Sequence, residues 1–183
     1  MAASAEQIGR FLSYLLRHRP DSIGLELDVG GWARIDDLVR LTVTAPTPLT
    51  AETIAHVVRT NDKQRYTISD DGTRIRANQG HSFAVELDLV ALAPPPILFH
   101  GTATRFLTAI REQGLLPMGR QHVHLSAERR VAVDVGRRHG AVAVLVVDSG
   151  AMHAARLPFF RSANGVWLTA HVPPRFLGDD AEQ

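Results

Sequence analysis

Three consecutive prolines, Pro94-Pro95-Pro96, constrain this chain more than any other feature. Proline fixes its own φ and has no amide hydrogen, so neither a helix nor an inner strand runs through such a stretch. The chain is therefore expected to fold as two pieces, 1–93 and 97–183, whose residue patterns also differ. Its 183 residues leave ample room for a buried core. A composition of 45% apolar and 21% charged residues excludes disorder, collagen and coiled coil. No run of about 18 apolar residues is present, and the opening MAASAEQIGR lacks the basic head and apolar run of a secretory signal. The absence of cysteine excludes disulfides, thiolate metal sites and a cysteine nucleophile. Together these predict a cytoplasmic protein with no membrane partner.

The first piece is helical and then extended. Ser4 and Gln7 form a capping-box pattern, after which Ile8, Phe11, Leu12, Leu15 and Leu16 recur at three- and four-residue steps until Arg19-Pro20 stops the helix. Leu25–Asp28 reads as a short extended piece before the Gly30-Gly31 turn. Asp36-Asp37 is expected to cap a second helix reaching about Val43. Thr50 precedes a third with Ile54, Val57 and Val58 inward. Tyr66–Ile68 and Arg74–Arg76, separated by Asp70-Asp71-Gly72, predict a hairpin. Three short helices followed by a hairpin resemble a winged helix, although other small bundles share that order. Beyond the prolines, strands are expected at Ile97–Phe99, His122–Leu125, Ala141–Val147 and Val166–Thr169, with helices over 103–113 and 127–138. The chain as a whole reads as α+β.

Charge is carried by placed arginines rather than by a basic tail. Of the 20 basic residues only Lys63 is a lysine. Residues 1–93 hold ten basic and twelve acidic side chains, and residues 94–183 ten and seven. Arginine's planar fork suits phosphate gripped at two points. The dinucleotide fingerprint G-x-G-x-x-G, the P-loop, H-E-x-x-H and G-x-S-x-G are all missing. Arg17-His18, at the end of the first helix, reads either as cations meeting the helix dipole or as a phosphate site with His18 as donor or acid. Arg76, Gln79, His81 and Ser82 leave the hairpin as a polar stretch, either solvated or gripping an RNA backbone. Phe99-His100-Gly101-Thr102 ends a strand with a glycine that would let a ligand approach the backbone. Period-two alternation puts Arg120, His122, His124 and Ser126 on one strand face, where so much polarity indicates a ligand-lined cleft. His122 and His124 lack a nearby carboxylate, so no metal is expected.

Seven segments in order resemble the RNA 2′-phosphotransferase family, often called tRNA 2′-phosphotransferase. They are LSYLLRHRP, LDVGGWARIDDL, NDKQRYTI, IRANQGHS, FHGT, GRQHVHLS and GVWLTAHVPP, spanning Phe11 to about Leu177. The resemblance implies an N-terminal winged-helix lobe facing RNA and a C-terminal lobe with the ADP-ribosyltransferase fold. It implies removal of an internal 2′-phosphate from RNA with NAD consumed, giving RNA with a restored 2′-hydroxyl, nicotinamide and ADP-ribose 1″,2″-cyclic phosphate. The family's catalytic set carries over to Arg17, His18, Arg65 and Arg120. Its NAD pocket carries over to His100, Gly101, Thr102, His124 and Ser126. The strand Gly165-Val166-Trp167-Leu168 holds no carboxylate, which suits an acceptor that is already an anion. Two rival readings remain at this stage. One is an enzyme that caps terminal phosphates of nucleic acids with ADP-ribose; the other is a binding module with an inert second half. A monomer is expected, since no heptad or long apolar edge stands out.

Overall fold

The computed structural model describes residues 3–180. The chain divides into two compact units, Met1–Asp88 and Leu89–Gln183, each mixed in helix and sheet.

In the first unit, helix α1 (Ala5–Arg17) starts at the expected capping box. The Gln7 amide donates to Ser4 Oγ at 3.2 Å, and the Ser4 amide donates to Gln7 Oε1 at 2.8 Å. One face of α1 buries Ile8, Leu12, Leu15 and Leu16. His18 caps the other end, its amide donating to Tyr14 O. Residues 25–28 form no strand. Asp28 Oδ1 instead accepts from the amides of Gly30 and Trp32, closing a turn from which β1 (Trp32–Arg34) departs.

Helix α2 (Ile35–Leu41) is shorter than expected. Its N-cap is Arg34, while Asp36 and Asp37 lie in the first turn, where their charge complements the helix dipole. Thr42 ends it by donating its hydroxyl to Leu38 O. Helix α3 (Ala51–Thr60) begins at a second capping box, between Thr50 and Thr53. Ile54 and Val57 are buried beneath it, and Val58 is half-buried.

Strands β2 (Tyr66–Ile68) and β3 (Arg74–Ala77) form the hairpin, and β1 adds to its other side in the order β1-β3-β2, all antiparallel. In the hairpin turn Asp71 Oδ1 accepts from Ser69 Oγ and from the amide and hydroxyl of Thr73. Hydrogen bonding from the Ser69 hydroxyl, then from Thr73, lowers the Asp71 carboxyl to about 2. The core joins α1 to the sheet through Leu12, Leu16, Leu38, Ile54 and Ile75, all fully buried.

Among its described residues the second unit contains nine further α-helices and strands. They are β4 (Leu98–Ala103), α4 (Leu107–Gln113), β5 (Val123–Leu125), α5 (Arg129–Gly136), β6 (Val142–Val147), α6 (Ser149–Ala154), β7 (Phe160–Arg161), β8 (Trp167–Thr169) and β9 (Leu177–Asp179). They make two antiparallel three-stranded sheets, β4-β6-β9 and β5-β8-β7. Phe99 and Ser126 exchange backbone hydrogen bonds of 2.8 and 2.9 Å, which stitches β4 to β5.

The proline run belongs to this unit. Its carbonyls are used while its missing amides cost nothing: Pro95 O accepts from Ser149 Oγ and Pro96 O from the Gly150 amide. Just upstream, the Leu92 amide donates to Phe159 O. Helix α5 lies directly on β4. A Cβ at Gly101 would stand 1.7 Å from Ala132 O, and one at Gly136 would stand 2.8 Å from Thr102 O.

Candidate active site

Each unit gathers its own set of the residues singled out by sequence. In the first, Arg17 and His18 come from the end of α1, and Arg65 from the turn entering β2. The Arg65 backbone is held from both sides. Its amide donates to Asn61 Oδ1 at 3.2 Å, and its carbonyl accepts from the Asn78 amide at 2.9 Å and from Arg17 Nη2 at 3.2 Å. Gln64, next to it, has φ of 42°, a left-handed conformation unusual outside glycine. Asn78 Nδ2 donates to Gln64 O at 2.6 Å and steadies it. The Arg17 guanidinium also lies 5.8 Å from the centre of the Tyr66 ring. Tyr66 is in turn anchored to α1, its hydroxyl donating to Gly9 O and meeting Ser13 Oγ at 2.6 Å.

His18 is exposed. Its Nδ1 lies 3.2 Å from Ser82 Oγ, which lies equally far from Arg17 O. When the one hydroxyl hydrogen of Ser82 goes to Arg17 O, Nδ1–H of His18 is the donor to Ser82. The Ser82 amide adds a third tie, donating to Arg17 O at 2.9 Å.

The residues leaving the hairpin are spread over different surroundings. The Arg76 guanidinium lies 4.6 Å from the centre of the Trp32 ring, with Asp88 3.9 Å away, and Arg74 flanks the same ring at 5.5 Å. Gln79 is half-buried, with Oε1 unpartnered in the protein. His81 is only 1% exposed, and neither ring nitrogen has a protein partner. Burial, reinforced by the charges of Arg17, His18 and Arg76, pushes it down to about 4. At neutral pH it is an uncharged imidazole under a cationic surface.

His18 and Arg65 also line one cleft of about 520 Å³ with Gly9, Arg10, Ser13, Tyr14 and Lys63. Sequence reasoning passed over Asn61, Asn78 and Tyr66. Only the hairpin register, with Tyr66 opposite Ala77, brings the Asn78 side chain to the Arg65 turn.

In the second unit the polar set surrounds the seam between β4 and β5. The expected strand starts one residue late, at Val123, so Arg120 and His122 sit in the bend before it. Arg120 still reaches the strand: its Nη1 donates to His124 Nδ1 at 2.9 Å, which places the His124 proton on Nε2. His100 Nδ1 donates to His124 O at 3.0 Å. Burial holds the His100 imidazole below its usual pKa, with the His139 and Arg120 charges acting in the same direction and the His124 hydrogen bond opposing.

His124 and Ser126 are half-buried, and Thr102 is buried. Gly101 is fully inside, its bare side covered by the α5 backbone. His122 turns its ring edge toward Phe160 at 5.9 Å, and burial lowers its pKa. Among the described residues, no three His, Cys, Asp or Glu side chains gather to hold a metal ion.

Comparison with known proteins agrees over nearly the full length. Residues 3–171 match the profile of the family described as "RNA 2′-phosphotransferase, Tpt1 / KptA family". A protein of Acaryochloris marina is 53% identical over 177 residues, covering 97% of this chain and 98% of that protein. One from Streptomyces coelicolor is 52% identical over 171 residues, covering 93% of each. A third, from Flavobacterium johnsoniae, is 46% identical over 173 residues. All three carry the name "Probable RNA 2′-phosphotransferase". No helix among the described residues is long and apolar enough to cross a membrane.

Proposed function

The chain belongs to the RNA 2′-phosphotransferase, Tpt1/KptA family, and we propose that it removes an internal 2′-phosphate from RNA with NAD as consumed co-substrate. The observation that carries this reading is the Arg17–His18–Arg65 constellation. The Arg17 guanidinium is tied to the Arg65 backbone carbonyl at 3.2 Å, and the neighbouring His18 imidazole meets Ser82 Oγ through Nδ1. Fixed cations of this kind act best where negative charge is spread over phosphoryl oxygens. Arg120 is the fourth member of the set.

In this reading Arg17 and Arg65 bind the 2′-phosphate, and His18 Nε2 delivers a proton to the RNA oxygen as the phosphate leaves. Asn61 and Asn78 hold Arg65 in place. Ser82 orients His18 from below, and the neutral His81 keeps further positive charge out of the interior. Arg76 and Gln79 flank the neighbouring backbone phosphate. The products are 2′-hydroxyl RNA, nicotinamide and ADP-ribose 1″,2″-cyclic phosphate.

The donor set in the second unit fits NAD. His100 and His124 are imidazoles with assigned protons, and Ser126 adds a hydroxyl, so ribose and amide groups would find both donors and acceptors. NAD, when bound, supplies a ribose carbon that loses nicotinamide and a neighbouring hydroxyl. Gly101 and Thr102 would contribute through their place on β4 rather than through exposed side chains. No enzyme nucleophile is needed, in keeping with a chain without cysteine. We further assign α1–α3 with the β1-β3-β2 sheet to a winged helix, and the two-sheet second unit to an ADP-ribosyltransferase-like fold.

The test is nicotinamide release from NAD in the presence of matched oligonucleotides with and without an internal 2′-phosphate. Release only with the phosphorylated strand is expected; equal release with both contradicts the proposal.

A further inference from the structure

The cleft that holds His18 and Arg65 is larger than a phosphate requires. At about 520 Å³ it falls in the size range of small-molecule sites. It runs back from His18 along α1 through Tyr14, Ser13, Arg10 and Gly9 to Glu6, with Thr60, Asn61 and Lys63 on its opposite wall. Gly9 and Val57 help line it without blocking it, since a Cβ at Gly9 would make only ordinary contact with Val57. The cleft mixes apolar and polar surface and carries both charge signs; Arg10 and Glu6 already form an ion pair.

Its one aromatic side chain is Tyr14, whose position is unusual for so large a ring: 43% exposed on a helix whose opposite face is fully buried. Tyr14 precedes His18, the residue capping the helix, by four residues, so the two lie about 6 Å apart along the axis and both line the cleft. That step matches one nucleotide of a strand whose phosphate lies at His18.

We propose that this cleft seats the nucleoside bonded to the 2′-phosphorylated nucleotide, with its base stacked on Tyr14. The inference rests on the RNA reading given above and names a subsite within it. Stacking on an exposed aromatic tolerates any base, because every base has a π-face. Lys63 and Arg10 on the rim favour the intervening backbone phosphate. The enzyme therefore binds a 2′-phosphate better when a neighbouring base is present, with little regard to which base it is.

The test uses the full chain, NAD and short RNAs with one internal 2′-phosphate and 2-aminopurine placed on either side of it. Wild-type protein is expected to quench 2-aminopurine at one of the two positions. Tyr14→Ala should abolish that quenching and raise KM for the RNA about tenfold at similar kcat, a loss within the range for base stacking. Tyr14→Phe should restore both. With an abasic neighbour, wild type and Tyr14→Ala should have equal KM. Quenching that survives in Tyr14→Ala, or a KM within twofold of wild type, would overturn the subsite while leaving the 2′-phosphate reading intact. Wild-type protein that binds the RNA but releases no nicotinamide would instead overturn the reading, and the quenching would still report on the cleft.

Discussion

At the scale of single residues, the site depends on side chains whose protons are assigned by their partners. In the proposed reaction His18 acts through Nε2, with Nδ1 against Ser82 Oγ. Replacing His18 with alanine is expected to leave the phosphate grip but remove the acid. RNA bearing ADP-ribose on its 2′-phosphate should then accumulate and be visible by mass; turnover at the wild-type rate would refute the role. Ser82→Ala should lower kcat about tenfold while KM for RNA holds, and Ser82→Thr, which keeps the hydroxyl, should recover most of it.

His81 gives a pH prediction. Its folded value of about 4 lies below the ordinary 6.5, so the unfolded chain binds the proton more readily. The resulting stability is full above about pH 6.5 and is lost as pH falls toward 4. Unfolding by urea should cost about 2 kcal/mol less at pH 5 than at pH 7.5, from this residue alone. His81→Gln should shrink that difference. Sequence left Arg17-His18 open between cations meeting the helix dipole and a phosphate site, and only the family resemblance made it a candidate site. It could not show that His81 is interior while Ser82 beside it is exposed, since a loop has no period from which to read burial.

At the scale of elements, the legible parts were those specified locally. The Ser4–Gln7 capping box is where the sequence put it, because it needs only a three-residue reach, and Thr50, expected just before the third helix, caps it with Thr53. Ser4→Ala should destabilise the first unit by about 1 kcal/mol in a urea titration. Strands β1, β7 and β9 were not anticipated. Each has three residues or fewer and exists through its pairing partner, which a single segment does not reveal. Gly101 shows the same limit: beside His100 it suggests room for a ligand, yet the space is filled by the α5 backbone. Gly101→Ala is accordingly expected to cost about 3 kcal/mol or more in stability by forcing α5 away from β4. A variant as stable as wild type would show that α5 sits elsewhere.

At the scale of the whole molecule, the prolines placed the break at 94–96, whereas the chain divides into compact units after Asp88. What composition could not show is that 89–96 packs with the second unit, through carbonyls that proline leaves free to accept. The protein is arginine-rich but nearly neutral overall, so its proposed grip on RNA would rest on a few placed guanidinium groups rather than on a bulk field. The central claim is a reaction, and its products decide it. Pure protein, NAD and an oligonucleotide with one internal 2′-phosphate should yield, by mass spectrometry, the dephosphorylated strand together with ADP-ribose cyclic phosphate. A strand that keeps its 2′-phosphate, or that gains ADP-ribose only on a terminal phosphate, would contradict the account.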